Sequence, residues 1–499
     1  MPSSPGKSPI FDPEKTKKKR HTSWSDPFTG DRTDTNESLK HVMLKMRLHS
    51  LSSGSITPHS ESESESDSYN GSLIATAPDY SSLLSDELLL KVFDKIGDAK
   101  RHFSNSLVCK RWCLLSGKLI QLIKLLDWEF LESGRLTFRF PNLVDINIVP
   151  GSIKLERNSG ILLSTKLFDE VYLSSGVLEN DGFFVRKQDV LHSEVVDTGV
   201  RILAEGCRDL KRIVLMNVSE RGLSCLAEEC ELLQEMELHY CDDLSLRAIH
   251  NFLNLQLLKL IGRLSGVYDS VVSDIGMTMV AQGCRRLVKL ELVGCEGSYL
   301  GIKAVGQCCH MLQELTLCNH RMEGGWLSAL SFFGSLKSLS IESCKYIDEN
   351  PGPDEHLGSC RMLEELHLRQ CQIRDKNGIT ALFLVCRSIR GLVIEDCWGL
   401  DNSTFAAAVI FRTIRSFLLE GCSLLTTEGL ESVILSWKKL NRLKVVSCNN
   451  VKDSEITPEL ATLFSVLKEL TWRPDSRSLL LASLTGTGIG QSGGRSFRK

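Results

Sequence analysis

A six-residue pattern, apolar-x-x-apolar-x-apolar, returns along most of this chain and constrains its fold more than any other feature. Thirteen copies run from Leu143/Ile146/Ile148 to Leu467/Leu470/Trp472, with Phe168/Val171/Leu173 and Leu255/Leu258/Leu260 filling places between clearer ones. Measured at the third apolar residue, the spacing from Leu292 onward is 25, 24, 27, 26, 25, 26 and 27 residues. A period of that length holds a short strand, a loop and a helix. One such unit cannot bury its own apolar side, so neighbours must stack into a solenoid.

Three further marks keep this register. A cysteine follows the third apolar residue by three positions at Cys241, Cys295, Cys344, Cys371, Cys397, Cys422 and Cys448. Another precedes it by eight at Cys207, Cys230, Cys284, Cys309, Cys360 and Cys386. A glycine stands sixteen before it at seven places, among them Gly222, Gly276, Gly301 and Gly429, where crowding at the helix start would exclude a β-carbon. The array resembles the cysteine-containing leucine-rich repeat, in which each unit gives one parallel strand and one helix. The resemblance implies an α/β leucine-rich-repeat solenoid of about 13 strand–helix repeats over residues 140–472, with a parallel sheet on its concave face.

Thirteen of the 18 cysteines are thereby repeat positions, and no C-x-x-C pair occurs, so they read as small buried hydrophobes in a reducing compartment. No Cys/His group has zinc-finger spacing. A net charge of −3 provides no field drawing the chain onto nucleic acid or an anionic membrane, so neither is expected as a partner. The longest apolar run, Phe405 to Phe411, is far short of a bilayer span, and the first ten residues lack the apolar segment of a secretory signal. The expectation is a soluble chain of the nucleus, the cytoplasm or both.

Upstream of the array, Leu83 to Trp112 reads LLSDELLLKVFDKIGDAKRHFSNSLVCKRW. Leu89, Phe93 and Ile96, with Leu88 and Val92, give a helix with a broad apolar face; Ser85 can cap it, and Asp86 and Glu87 suit its first turn. A second apolar segment, Leu107-Val108-Cys109, runs into Lys110-Arg111-Trp112. Two helices this short need a partner surface. This stretch resembles an F-box: Leu84, Glu87, Leu88, Val92 and Phe93 match the family's opening, and Leu107 to Trp112 its close. Ser85 stands where the family usually has proline. Together with the repeats, the resemblance is to plant-type F-box/leucine-rich-repeat proteins, the substrate receptors of SCF ubiquitin ligases. It implies a small all-α unit that docks onto a Skp-type adaptor and, through it, a cullin and a RING subunit. Its adaptor-binding residues would be Leu84, Leu88, Leu89, Val92, Phe93, Leu107, Val108, Cys109 and Trp112.

The remaining segments divide as follows. Residues 1–79 lack apolar periodicity and read as a disordered tail. That tail carries a basic run, Lys17-Lys18-Lys19-Arg20, which is a nuclear import signal or a solvated cluster, and a Ser/acid alternation, Ser60 to Ser68, that resembles an acidophilic kinase substrate. The F-box occupies 80–117. In residues 118–139, Leu119, Leu122, Leu126 and Phe130 follow helical spacing and predict a helical connector. Residues 473–499 are Gly/Ser-rich and basic, a flexible tail.

In such a solenoid, residues alternating with the buried strand leucines face the concave surface. Glu291, Glu342, His367, Arg369, Glu395 and Glu420 are the candidates for binding an unknown target protein, and they lean acidic. Insertions around Gly176–Glu194 and Gly262–Asp269, and the loop Tyr346–Leu357, are further candidate contacts. No converging nucleophile and base, paired carboxylates or phosphate-cradling loop appears, so the chain is expected to catalyse nothing and to carry no cofactor or metal. The leading reading is the target-binding subunit of an SCF-type ligase. Alternatives are a small-molecule (hormone) co-receptor of the same ligase class, which the acidic face disfavours, and a non-catalytic interaction scaffold.

Overall fold

The computed structural model describes residues 80–96, 104–153, 161–162, 190–264, 268–269 and 271–475. The basic run at Lys17, the Ser60–Ser68 alternation, the strand expected at Phe168/Val171/Leu173, most of the Gly176–Glu194 insertion and the last 24 residues lie outside these.

Helix α1 (Asp86–Ile96) and helix α2 (Lys110–Lys118) open the described fold. Strand β1 (Leu122–Leu125) follows, then two short helices, α3 (Trp128–Glu132) and α4 (Arg135–Arg139). Strands β2 (Asp145–Asn147) and β3 (Ile161–Leu162) precede helix α5 (Ser193–Gly206) and strand β4 (Arg212–Met216). Next come helix α6 (Glu220–Glu229), β5 (Glu235–His239), β6 (Leu257–Ile261) and the hairpin β7 (Arg263–Leu264) with β8 (Tyr268–Asp269). Helix α7 (Asp274–Gly283), β9 (Lys289–Val293), β10 (Glu296–Gly297), helix α8 (Tyr299–Cys308), β11 (Glu314–Cys318) and β12 (Arg321–Met322) continue the series. The last stretch holds β13 (Ser338–Glu342), β14 (Glu365–Arg369), β15 (Gly391–Glu395), β16 (Ser416–Glu420), β17 (Arg442–Val446) and β18 (Glu469–Arg473).

Fourteen of these strands form one sheet, all parallel save β3, which pairs antiparallel with β1. Thirteen parallel rungs with helices or 3-10 turns on one side make an α/β leucine-rich-repeat solenoid. One expectation about its N-terminal end is corrected. Leu122–Leu125 is a strand in register with β2, not part of a helical connector, so the sheet begins before residue 140. Ile123 and Leu125 are fully buried while Leu122 and Lys124 are half-buried, the alternation of a strand. Pairing with β2 overrides the helical spacing of a segment this short. Strand β2 pairs directly with β4. Several repeats also close with a 3-10 segment where a helix was expected, as at Ser245–Asn251 and Trp326–Phe332.

The strand leucines and the helices bury one continuous core from Ile123 to Trp472. All thirteen repeat cysteines are buried in it, and most of their thiols donate to backbone carbonyls, as Cys397 does to Leu368 at 3.4 Å and Cys230 to Cys207 at 3.5 Å. Burial pushes the thiols of Cys207, Cys230, Cys284 and Cys309 up to about 12, which removes their nucleophilic form.

Two devices tie each repeat to the next. At the end of the rungs the residue after the strand turns left-handed: Asn217, Tyr240, Asn319, Ser343, Gln370, Asp396 and Ser447 have φ between 47° and 55°. Each turns its amide onto the last strand carbonyl of the following rung, as Gln370 does to Glu395 at 2.8 Å. On the helical side, a carboxylate of one repeat caps the next. Asp274 accepts from the Ser298 amide at 2.8 Å, the Ser298 hydroxyl at 2.6 Å and the Gly301 amide at 2.9 Å. Asp243 does the same for Ser273 and Gly276, and Asp197 takes both donors of Ser219. A Cβ at Gly222, Gly276 or Gly301 would fall under 3.0 Å from that carboxylate, which is why glycine keeps its place in the repeat.

Candidate interaction surfaces

The two-helix unit is held by a small core of Leu89, Phe93 and Leu115, with Trp112 and Leu119 packed against it. Phe93 and Trp112 meet edge to face, with ring centroids 4.8 Å apart. Arg111 staples the unit: its guanidinium pairs with Asp86 at 2.7 Å and donates to the carbonyls of Leu84 at 2.5 Å and Ser81 at 3.2 Å. Ser85 accepts from the Leu88 amide at 3.4 Å, so a helix start survives without proline. Helix α2 then abuts α4, where a Cβ at Gly117 would collide with the Arg139 carbonyl, and Asn142 donates to the Lys118 carbonyl at 2.8 Å.

This packing divides the nine expected docking residues. Leu84, Leu88, Val92 and Val108 stand 40%, 49%, 51% and 62% exposed and form an apolar surface without a partner among the described residues. Leu107 is half-buried, and Cys109 caps α2 by accepting from the Trp112 amide at 3.4 Å. Leu89 and Phe93 are buried and Trp112 is packed on Phe93, so these three hold the helices together and do not face outward. A helical period shows that a face is apolar; with apolar residues on more than half the circumference, it does not show which part turns inward.

The six expected target-binding residues all lie on the helix-free face of the sheet. Glu291 is on β9, Glu342 on β13, His367 and Arg369 on β14, Glu395 on β15 and Glu420 on β16, each alternating with buried leucine or isoleucine. In-register pairing brings Glu342, Arg369 and Glu395 side by side across three rungs. Arg369 contacts Glu395 at 2.7 Å and Glu342 at 3.6 Å. Lys444 contacts Glu420 at 3.0 Å, and Lys289 contacts Glu291 at 2.7 Å. Each of these four carboxylates thus has a cation beside it, Arg369 serving two of them, and these pairs offset part of the acidic lean.

An enclosed part of this face joins Glu291 to residues outside the six candidates. Glu237, Lys259 and Glu291 are cross-strand partners on β5, β6 and β9. Lys259 stands 3.5 Å from Glu237 and 3.8 Å from Glu291, and His239 Nε2 is 2.8 Å from Glu237. Burial pushes the Glu237 carboxyl up, but the His239 hydrogen bond and charge and the Lys259 charge outweigh it and hold it down at about 2. Beside this network, Val149, Val190, Val214, Met216 and Ile261 form a second apolar cluster on the same face. The third candidate loop is also partly structural. Asp348 is buried, and its carboxylate takes the amides of Gly325, Leu327 and Asn350.

No group of metal-binding side chains occurs among the described residues, and none of their helices is long and apolar enough to cross a membrane. No family model matches the chain. It is similar to "F-box/LRR-repeat protein 4" of Bos taurus, 23% identical over 228 residues that cover 43% of this chain and 36% of that protein. It is also similar to "Putative RNA-binding protein EEED8.10" of Caenorhabditis elegans, 26% identical over 241 residues, 42% of this chain and 31% of that protein. The chain thus spans about a third of the length of these curated relatives. Among solved structures it is similar to an internalin from Listeria monocytogenes (TM-score 0.35, 18% identity, 54% of this chain and 69% of that one). Another is TLR13 in complex with ssRNA13 (TM-score 0.37, 17% identity, 54% and 40%). Likenesses at such scores add nothing to a fold that rests on the sheet itself.

Proposed function

We propose that this chain is the target-recognition subunit of an SCF-type ubiquitin ligase. In this reading the helices α1 and α2 dock onto a Skp-type adaptor, which links them to a cullin and a RING subunit. The helix-free face of the solenoid holds a target protein for ubiquitination and degradation, in the nucleus or cytoplasm. The observation that carries the reading is the exposed apolar row Leu84, Leu88, Val92 and Val108 on a unit whose interior is already closed by Leu89, Phe93 and Trp112. Such a surface is costly in water, at roughly 25 cal/mol per Å² of apolar area, unless a partner covers it. The likeness to an F-box/LRR-repeat protein supports the same partner class.

The role is positional. The close approach of α2 to α4 sets a short connection between the adaptor side and the first rung. A target held on the solenoid would thereby gain effective concentration at the transfer site. The decisive experiment is co-purification of the full chain with a Skp-type adaptor. Leu88→Asp and Val92→Asp, both on the exposed row, are expected to abolish it without unfolding the unit. Retention of the adaptor by the double variant would refute the docking role and leave a non-catalytic repeat scaffold.

A further inference from the structure

We propose a second interaction surface, on the edge of the solenoid where each helix returns to its strand, that binds an acidic protein segment through the last five repeats. Two rows of cations define it. Arg361, Arg387, Arg412 and Lys438 each stand one residue after a buried anchor, namely Cys360, Cys386, Phe411 and Trp437. They therefore repeat at one register position. Arg390, Arg415 and Lys468 lie immediately before the strand starts of β15, β16 and β18, with Asn441 in the same place before β17. The Arg415 amide donates to the Arg390 carbonyl at 2.7 Å, so those two side chains leave adjacent rungs, about 4.8 Å apart.

All seven are exposed, and Arg390 alone among them forms an ion pair within the described residues, with Glu364 at 3.0 Å. The same edge behaves differently in the early repeats. There the first position holds Arg208, which pairs with Glu229 at 2.8 Å, and then Glu231, Arg285 and His310 among others, while the second, before β5, β6, β9 and β11, holds Gln234, Gln256, Val288 and Gln313. The chain as a whole carries −3, so a cationic strip with one paired member is a local arrangement and not a reflection of composition.

Attraction to the carbonyl ends of the helices accounts for part of the first row, since cations are favoured in that place. It does not account for the second row, which sits at the strand starts. Arginine dominates both rows, and its planar fork suits carboxylate and phosphate oxygens. No aromatic residue is among the large apolar side chains exposed on this edge, where Met362 and Val466 are instead interleaved with the cations. Single-stranded nucleic acid is held by base stacking as well as charge, so this composition favours a peptide with acidic and aliphatic residues. The surface is distinct from the helix-free face and does not depend on the ligase reading.

The test is fluorescence anisotropy with the full chain and a labelled peptide of alternating Glu and Ser around a central Leu, with its Ser-phosphorylated form as a second arm. Binding is expected at low salt and to weaken as salt rises. Arg387→Glu with Arg412→Glu is expected to reduce affinity about tenfold or more, while Arg208→Glu with Arg285→Glu on the early part of the edge leaves it unchanged. A stronger response in the phosphorylated arm identifies phosphate as the preferred anion, and equal responses identify carboxylate as sufficient. Equal losses from the two pairs of substitutions, no binding to either peptide, or tighter binding of a single-stranded RNA of matched charge would overturn the proposal. Unchanged circular dichroism and melting temperature in both double variants exclude unfolding as the cause.

Discussion

Ser298 gives both its amide and its hydroxyl to Asp274, a residue of the preceding repeat, and the Gly301 amide completes the same site. The helix α8 is thus started by its neighbour as well as by its own serine, which accepts from the Leu300 amide at 3.1 Å. Gly301→Ala would push a β-carbon into the Asp274 carboxylate and is expected to destabilise by ~2 kcal/mol. Asp274→Ala should also destabilise, because it strands three donors. In the double variant the alanine loses its main collision. Chemical denaturation of the four proteins should therefore show less than the sum of the single losses. Strict additivity would mean that the carboxylate is not what reserves the glycine.

The F-box-like unit predicts two separable classes of variant. Trp112→Ala removes the ring packed on Phe93, and Leu89→Ala hollows the small core, so both should raise the protease sensitivity of residues 80–118. Leu88→Asp and Val92→Asp sit on the exposed row and should leave that sensitivity as it is. Limited proteolysis followed by mass spectrometry separates the classes before any partner is added.

Acid should weaken the solenoid in two stages. His320 is buried; its Nδ1 accepts from the Met322 amide at 3.2 Å, and burial pulls its pKa from 6.5 down to about 4. The folded state resists protonation, so stability is full above pH 6.5 and falls as pH drops toward 4, by on the order of 3 kcal/mol for a shift of this size. Glu237 acts lower: its depressed value means a contribution that is intact above 4.5 and lost as pH falls toward 2. Melting curves of parent, His320→Phe and Glu237→Gln across this range should show the first variant flattening the upper stage and the second flattening the lower one.

The left-handed turns after the strands carry a removable cost. Ser447 has φ 54° and an exposed side chain, and its amide bonds the Arg473 carbonyl at 3.0 Å. Ser447→Gly relieves the backbone and should raise stability by up to ~1 kcal/mol, less the extra freedom that glycine gives the unfolded chain. Gly421, the equivalent residue one rung earlier at φ 69°, should respond in the opposite sense to Gly421→Ala, because an added Cβ also meets Asp396. Urea melts of both variants check the pair.

The rungs from β4 onward were legible in the sequence because each repeats the same alternation and meets a partner of the same kind. Leu122–Leu125 was not: Ile120/Ile123/Leu125 fits the same pattern, but the helical spacing of Leu119, Leu122, Leu126 and Phe130 competes with it, and the pairing with β2 decides for a rung. On the helix-free face, single positions were legible and their charge state was not. The partners of Glu342, Glu395 and Glu291 come from neighbouring rungs or from other positions of the same strand, and their closeness is a property of register. Arg111 was read as part of a motif, but its three contacts around Asp86 and the Leu84 and Ser81 carbonyls needed the fold.

The caps that pass from one repeat to the next also set the grain at which this protein can be re-cut. Asp243 reaches Ser273 and Gly276, and Asp274 reaches Ser298 and Gly301, with matching donors in matching places. Excising residues 273–297, one full period, would leave Ser298 directly after Val272, where Asp243 now reaches Ser273, and Gly301 in the place of Gly276, whereas a block a few residues longer or shorter would leave Asp243 facing no matching serine and glycine. Lengthening or shortening of the solenoid is therefore expected in whole periods counted from cap to cap, and splices out of that phase should fail to join.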